Sequence, residues 1–302
     1  MLQSLQAQTY PKAQLRVHVI TEGNSEEAKA LGIRRCTGDI VGMFCADNVL
    51  IEPDFLEVLT DAARQPGVTG AYTARYAYVP TDTSLSRYFA LLGANDPLCW
   101  WLGKADRASY LSRSSSKSQG SLNTLSSRYS YDTCSSLPSL GDNGFFTTRR
   151  LIQPFVTNPQ TFCSTMDLWE DICRAKRSLR FAVVPEVSLW HRSGKSLSLY
   201  LKKRWRYVNE LYWNKRSIKR WIMVNSYRDW LVCGLFALAS LLVVPQLLIS
   251  LRGGRQKPDW AWLWHPLICI LLTCLYACSM IRSVWSVVAG SVRRSWRNVY
   301  SR

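Results

Sequence analysis

Asp39-Ile40-Val41-Gly42-Met43-Phe44 runs directly into Cys45-Ala46-Asp47-Asn48. The first six residues are a short, mostly apolar run, the length of a buried strand; the next four are polar or small. A strand of this kind delivers polar side chains to its C-terminal end, which is where open α/β sheets bind ligands. The flanking sequence supports that reading. Residues 14–20, QLRVHVI, alternate and predict a strand, and Glu26–Ile33 predicts a helix. Pro53–Arg64 predicts a helix with Asp54 and Glu57 in its first turn, and Val68–Val79 a further strand. Gly141-Asp142-Asn143-Gly144 reads as a turn entering a strand. Asp167–Arg177 reads as a helix, and Arg180–Val184 as a strand. The alternation argues for an α/β domain with a mainly parallel sheet. Residues 108–140 interrupt it: they are Ser-rich, lack aliphatic periodicity, and predict a mobile loop or insertion.

The C-terminal part is different. Trp230–Leu251 and Trp260–Ile281 are uncharged and strongly apolar. Each run, at about 22 residues, would span roughly 33 Å as a helix, enough to cross a ~30 Å hydrocarbon core. Tryptophans border them and basic residues flank them, which predicts two transmembrane helices at about 230–251 and 260–281. Pro245 would kink the first. The loop between them carries Arg252, Arg255 and Lys257, which blurs any charge asymmetry and leaves a shallow re-entrant hairpin open. Ser196–Lys215 predicts a basic, aromatic amphipathic helix leading to the membrane surface. The expected organisation is therefore a head over residues 1–215 and a membrane region over 216–302.

Net charge is +17 over 302 residues. No nucleic-acid recognition motif accompanies it, so no nucleic-acid partner is expected, and the basic residues around the apolar runs suit an anionic cytosolic membrane face. The ten cysteines include no CxxC pair, so neither zinc spacing nor a disulfide framework is suggested.

Several short segments, in order, resemble a membrane-bound family 2 glycosyltransferase of the ceramide-glucosyltransferase-like or polyprenyl-phosphate-glycosyltransferase-like kind. Ser4-Leu5 with Gln8-Thr9-Tyr10-Pro11 resembles that family's "SL…QTYP". Gly38-Asp39-Ile40-Val41 with Phe44 and Asp47 resembles its "GDIV.FLDAD" strand, and Pro53 with Phe55-Leu56 fits the helix that follows. Gly141-Asp142-Asn143-Gly144-Phe145 resembles a "GGNGF"-type acceptor-side segment. Met166-Asp167-Leu168-Trp169-Glu170-Asp171 resembles the acidic segment that holds the catalytic base. Trp190-His191, Ser193-Gly194 and Arg204-Trp205 complete the order. The resemblance covers about residues 1–215 and implies a GT-A-like, Rossmann-like fold. It implies inverting transfer of a sugar from a nucleotide-sugar donor to a membrane lipid or lipid-linked acceptor, by a cytosol-facing head.

It also implies roles. A leaving diphosphate needs a divalent metal, Mg2+ or Mn2+, whose natural ligands are carboxylates. Asp47 is the metal candidate, with His191 from the other side and Glu22 the nearest carboxylate on the donor side. An acceptor hydroxyl must lose its proton to a carboxylate: Asp167 first, then Asp171 and Glu170. Asp142, Asn143, His191, Arg204, Trp205, Asp96 and Lys104 are the substrate-binding candidates. Simpler readings stand beside these: Asp47 as a turn residue, Asp167 as a helix cap, His191 as a satisfied core histidine, Arg204 facing lipid headgroups.

The departures from the pattern are specific. The family's opening "VVIPAYNE" strand is not in this chain, and Cys45 stands where the first acid of the DxD-type motif belongs. A thiol is a poor magnesium ligand. The expectation is a truncated start, a protein partner that supplies the strand, or a catalytically degenerate relative acting as a binding or interaction module.

Overall fold

The computed structural model describes residues 1–22, 25–111, 127–131, 137–141, 143–159, 162–176, 179–213 and 219–300. Asp142 and most of 108–140 lie outside the described residues.

Strands β1 (Ile40–Met43), β3 (Gly70–Thr73), β4 (Ser127–Tyr131), β5 (Phe145–Thr148) and β6 (Leu179–Val184) form a five-stranded sheet in the order β1-β5-β3-β6-β4. Only β3 and β6 run parallel; β1–β5, β3–β5 and β4–β6 are antiparallel. The expected mainly parallel sheet is thus corrected to a mixed one. The reason is β5, which inserts between β1 and β3 in the opposite sense. The Ser-rich stretch contributes β4, which closes the far edge of the sheet. A second ribbon pairs β2 (Asn48–Leu50) with β7 (Leu189–His191) and sets Asn48 opposite His191.

Residues 15–20 do not form the expected strand. They are extended but lie in no ladder among the described residues, and Val17 and Val19 are about half exposed. A groove of about 1180 Å³ separates them from β1; Val19, Ile20, Val41 and Met43 line it.

Helices pack on both faces of the sheet. Helix α3 (Phe55–Arg64) presents Phe55, Leu56 and Leu59 to one core, with Phe146, Val184 and Leu189. Helix α7 (Thr165–Lys176) presents Leu168, Trp169 and Ile172 to the other, where the Trp169 ring lies tilted 4.5 Å from Phe145 and edge-on to Phe181. Helix α2 (Ser25–Arg35) adds Ala30 and Ile33 to this second core, and the short helices α1 (Leu2–Gln6) and α6 (Arg149–Ile152) add Leu5 to the first core and Ile152 to the second. Rings at these separations add to what area burial alone provides.

A third core forms at the far side of the head. Helix α4 (Ser84–Leu92) starts at Thr83, whose hydroxyl accepts from Ser86 N–H, and ends at Gly93 with φ +76°. A Cβ at Gly93 would sit 2.5 Å from the Arg107 carbonyl, so no other residue fits the left-handed turn there. Next come α5 (Pro97–Trp101) and α8 (Leu197–Arg206), the latter followed by a π-helical turn at Tyr207–Trp213. The expected helix over Ser196–Lys215 is thus found as an α-helix that passes into π-helical geometry at Tyr207, and Tyr200 is its buried residue within α8.

The C-terminal part holds α9 (Tyr227–Leu242), α10 (Val244–Gln256) and α11 (Trp264–Tyr300). Among the described residues, one segment, Trp260–Trp285, is long and apolar enough to cross a membrane as one helix. The span expected over 230–251, kinked at Pro245, is found as two helices, α9 and α10, that meet at an angle of 89°. Val243 sits at the break with φ +63°, and Pro245 has no N–H to carry the α9 ladder onward.

Candidate active site

Two clusters of polar residues stand out, one on the turn after β1 and one on α7. The first is built on the turn after β1. The Asn48 side chain accepts from Cys45 N–H at 2.9 Å, which closes that turn and projects Asp47. The β2–β7 register then brings His191 alongside, with Nε2 3.6 Å from Asp47 Oδ1, and Arg192 N–H donates to the Asp47 carbonyl. Burial pushes the Asp47 carboxyl up, but His191 and Lys203 outweigh it and hold the group below its ordinary value. Asp47 Oδ1 is buried and makes no hydrogen bond.

His191 leads inward. Its Nδ1 lies 3.5 Å from Asn95 Nδ2, and Ser193 Oγ donates to Asn95 Oδ1. The Asn95 carbonyl accepts from Arg204 and from Tyr200 OH, each at 2.8 Å. Asp96, almost fully buried, caps α5 through Leu98 N–H and accepts from Arg204 and from Tyr276 of α11. A continuous set of polar contacts therefore joins Asp47 to the C-terminal helix. Asn143 joins from the side: it accepts from Asn48 and donates to Tyr76 OH, which donates to Asp106, while the buried Arg107 donates to the Asn143 carbonyl. The Tyr76 ring lies 5.3 Å from that of His191.

The second cluster is on α7. Asp167 is completely buried. Its Oδ1 accepts from the backbone N–H groups of Arg220 and Trp221, both at 2.7 Å, and its Oδ2 accepts from Ser164 Oγ at 2.6 Å. One turn on, Asp171 pairs with Arg220 Nε at 2.7 Å. Burial raises the Asp171 pKa despite that partner. Glu170 pairs with Arg174 at 2.9 Å, away from both. Cation–π contacts link the two clusters, because the Tyr207 ring lies 5.9 Å from Arg204 and 5.7 Å from Lys219, and Lys219 lies 5.9 Å from the Trp221 ring.

The sequence-predicted residues thus divide. Asp47, His191, Asn143, Asp96 and Arg204 come together. Asp167 and Asp171 form the second cluster. Lys104 is taken up elsewhere: buried, it pairs with Asp229 of α9 at 2.8 Å and donates to the Met223 carbonyl. Trp205 turns to Arg282 of α11, and Glu22 is held in an exposed bidentate pair by Arg35. Arg220 and Trp221 were missed. The signal was present, since Lys219-Arg220-Trp221 repeats Lys203-Arg204-Trp205. The first copy seats its arginine beside Asp96, and the second its backbone on Asp167.

A metal at this site would find Asp47, with a buried oxygen to offer, and the His191 imidazole. Among the described residues no group of three His, Cys, Asp or Glu converges. One carboxylate and one imidazole suit an ion that takes its remaining ligands from substrate phosphates.

A search of curated proteins returns no match. Residues 2–210 match the family model described as "Glycosyltransferase like family 2". The mixed sheet with helices on both faces is consistent with the GT-A fold, and a match over more than half its length makes this chain a member of that glycosyltransferase family.

Proposed function

We propose that the chain transfers a sugar from a nucleotide-sugar donor to a membrane lipid or lipid-linked acceptor, with inversion, from a head facing the cytosol. The observation that carries this reading is the pairing of Asp47 with His191 at the end of β1, joined through Asn95, Arg204 and Asp96 to the C-terminal helix. Asp47 and His191 would hold a divalent metal, which supplies charge neutralisation for the departing diphosphate. Asn95 and Asn143 fix the His191 side of the site, and the ion pair with Asp96 fixes Arg204. The division into a catalytic head over 1–215 and a membrane region over 216–302 belongs to this proposal. So does the cytosolic orientation, which the basic residues around the tail support.

In the transfer, the acceptor oxygen bonds to the anomeric carbon as the bond from that carbon to the phosphate oxygen breaks. The acceptor proton passes to a carboxylate. Asp167 is the base in this proposal, and its oxygens become reachable when the Arg220–Trp221 backbone withdraws from Oδ1. Arg220 pairs with Asp171 and so remains beside the site. The test is release of nucleoside diphosphate from a panel of nucleotide sugars by the full-length protein in detergent with Mn2+. Turnover of one donor is expected, lost in Asp47→Ala and in Asp167→Asn. Unchanged turnover in both variants overturns the site. Loss in Asp171→Asn alone transfers the base role to Asp171.

A further inference from the structure

Helices α9 and α10 are turned inside out. Their polar residues face inward: Gln246 bridges Ser240 and His265 of α11, and Ser250 donates to the Trp262 carbonyl, all fully or nearly buried. Leu231, Leu235 and Leu238 of α9 and Leu247, Leu248 and Leu251 of α10 point outward, each at least 39 % exposed. An apolar surface of this extent suits hydrocarbon, not water.

Both ends of the pair are fastened to the head. At the start of α9, Asp229 accepts from Lys104 at 2.8 Å. After α10, Asp259 accepts from Arg87 of α4 at 2.8 Å and from Tyr78. Trp264, at the start of α11, donates to Ser84 of α4. The chain therefore departs from the head along α9, whose Phe236 still packs on Leu98 and Trp101 of α5, and is back on it by 259. The lengths agree. With 16 and 13 residues, α9 and α10 are each shorter than the ~30 Å core, at roughly 24 and 20 Å. Set symmetrically about their 89° bend, they reach a depth of about 14–17 Å, close to one leaflet. This arrangement also accounts for the charge that a spanning pair leaves unexplained: Arg252, Arg255 and Lys257 fall on the same side as Arg228 and the basic residues of α8.

We propose that α9 and α10 form a re-entrant wedge in the leaflet on the head's side, with the Val243 bend among the acyl chains and neither helix crossing the bilayer. The proposal rests on membrane attachment, and alkaline carbonate extraction tests that separately: release of the wild-type protein would defeat attachment itself. For the wedge, full-length Gln256→Cys, Leu242→Cys and Asp61→Cys are labelled with a membrane-impermeant maleimide in sealed microsomes, head outward. Labelling of the wild-type cysteines is subtracted. Gln256→Cys is expected to label as fully as Asp61→Cys without detergent, and Leu242→Cys at less than a tenth of that level. A Gln256→Cys signal that requires detergent overturns the proposal in favour of a crossing. Full labelling of Leu242→Cys, or its crosslinking into a dimer by a short bismaleimide, also overturns it, the latter assigning the face to a second copy. Should a cysteine variant fail to fold, an Asn-Ser-Thr acceptor inserted after Gly254 is expected to remain unglycosylated. A glycan there overturns the proposal.

Discussion

Asp47 and Asp171 experience burial in the same direction and end on opposite sides of the ordinary carboxylate pKa. At Asp47 the His191 and Lys203 charges win; at Asp171 burial wins over Arg220. The signs follow. A lowered folded-state pKa at Asp47 contributes stability above the unfolded value of roughly 3.9, which is lost as pH falls through the folded value. The melting difference between wild type and Asp47→Asn should therefore shrink as pH falls below the unfolded value. A raised pKa at Asp171 acts the other way. Its contribution is present below the unfolded value and fades as pH rises through the raised one, so wild type should lose ground to Asp171→Asn as pH rises from about 4. Thermal melts at a series of pH values check both. Asp167 separates two functions. Alanine removes the acceptor for three buried donors and should cost about 3 kcal/mol in denaturant unfolding. Asparagine can still accept from the two backbone N–H groups, so it should fold while lowering kcat by roughly 10²–10⁴-fold if Asp167 is the base. Asp47 was legible because an apolar run ended just before it. The resemblance already set His191 against Asp47, but the register that brings them together, with Asn48 opposite His191, is announced by nothing in either segment.

At the level of elements, the helices were read well and the sheet less so. The predicted helices near 26–33, 53–64 and 167–177 agree with α2, α3 and α7 to within a few residues. Alternation of strands and helices suggested a parallel sheet, but order along the chain does not reveal that β5 slots between β1 and β3. Nor does hydropathy reveal the break at Val243, because a bent pair and a straight span have the same composition. Ion pairs hold that pair to the head, and they carry a prediction. Lys104→Ala leaves Asp229 buried without its partner and should cost roughly 3–5 kcal/mol, whereas Lys104→Met with Asp229→Leu should recover most of it. Urea unfolding in detergent distinguishes the two. Gly253 supplies a second. A Cβ there would lie 2.4 Å from the Trp262 ring, so Gly253→Ala should separate α10 from the 3₁₀ turn at Trp260–Leu263 and lower the Tm measured by tryptophan fluorescence.

Packing crosses the line at which the composition changes. Polar head and apolar tail differ sharply in sequence, and 215/216 is the natural place to cut. Yet the third core draws Leu85, Tyr88, Phe89 and Tyr200 from one side of that line and Ala261, Trp262, Ile268 and Leu272 from the other. The polar contacts from Asp47 cross it as well, ending on Tyr276. A chain cut after residue 215 should therefore aggregate without detergent, since the cut exposes the apolar face of α4 and leaves Lys104 and Arg87 without Asp229 and Asp259. Size-exclusion chromatography against the full chain measures this. Modularity follows the core, not the hydropathy profile. To exchange tails between relatives of this family, or to graft this one onto a soluble head, α4, α5 and α8 would have to travel with it. Substitutions on either side of the shared core would be accepted only in compensating pairs.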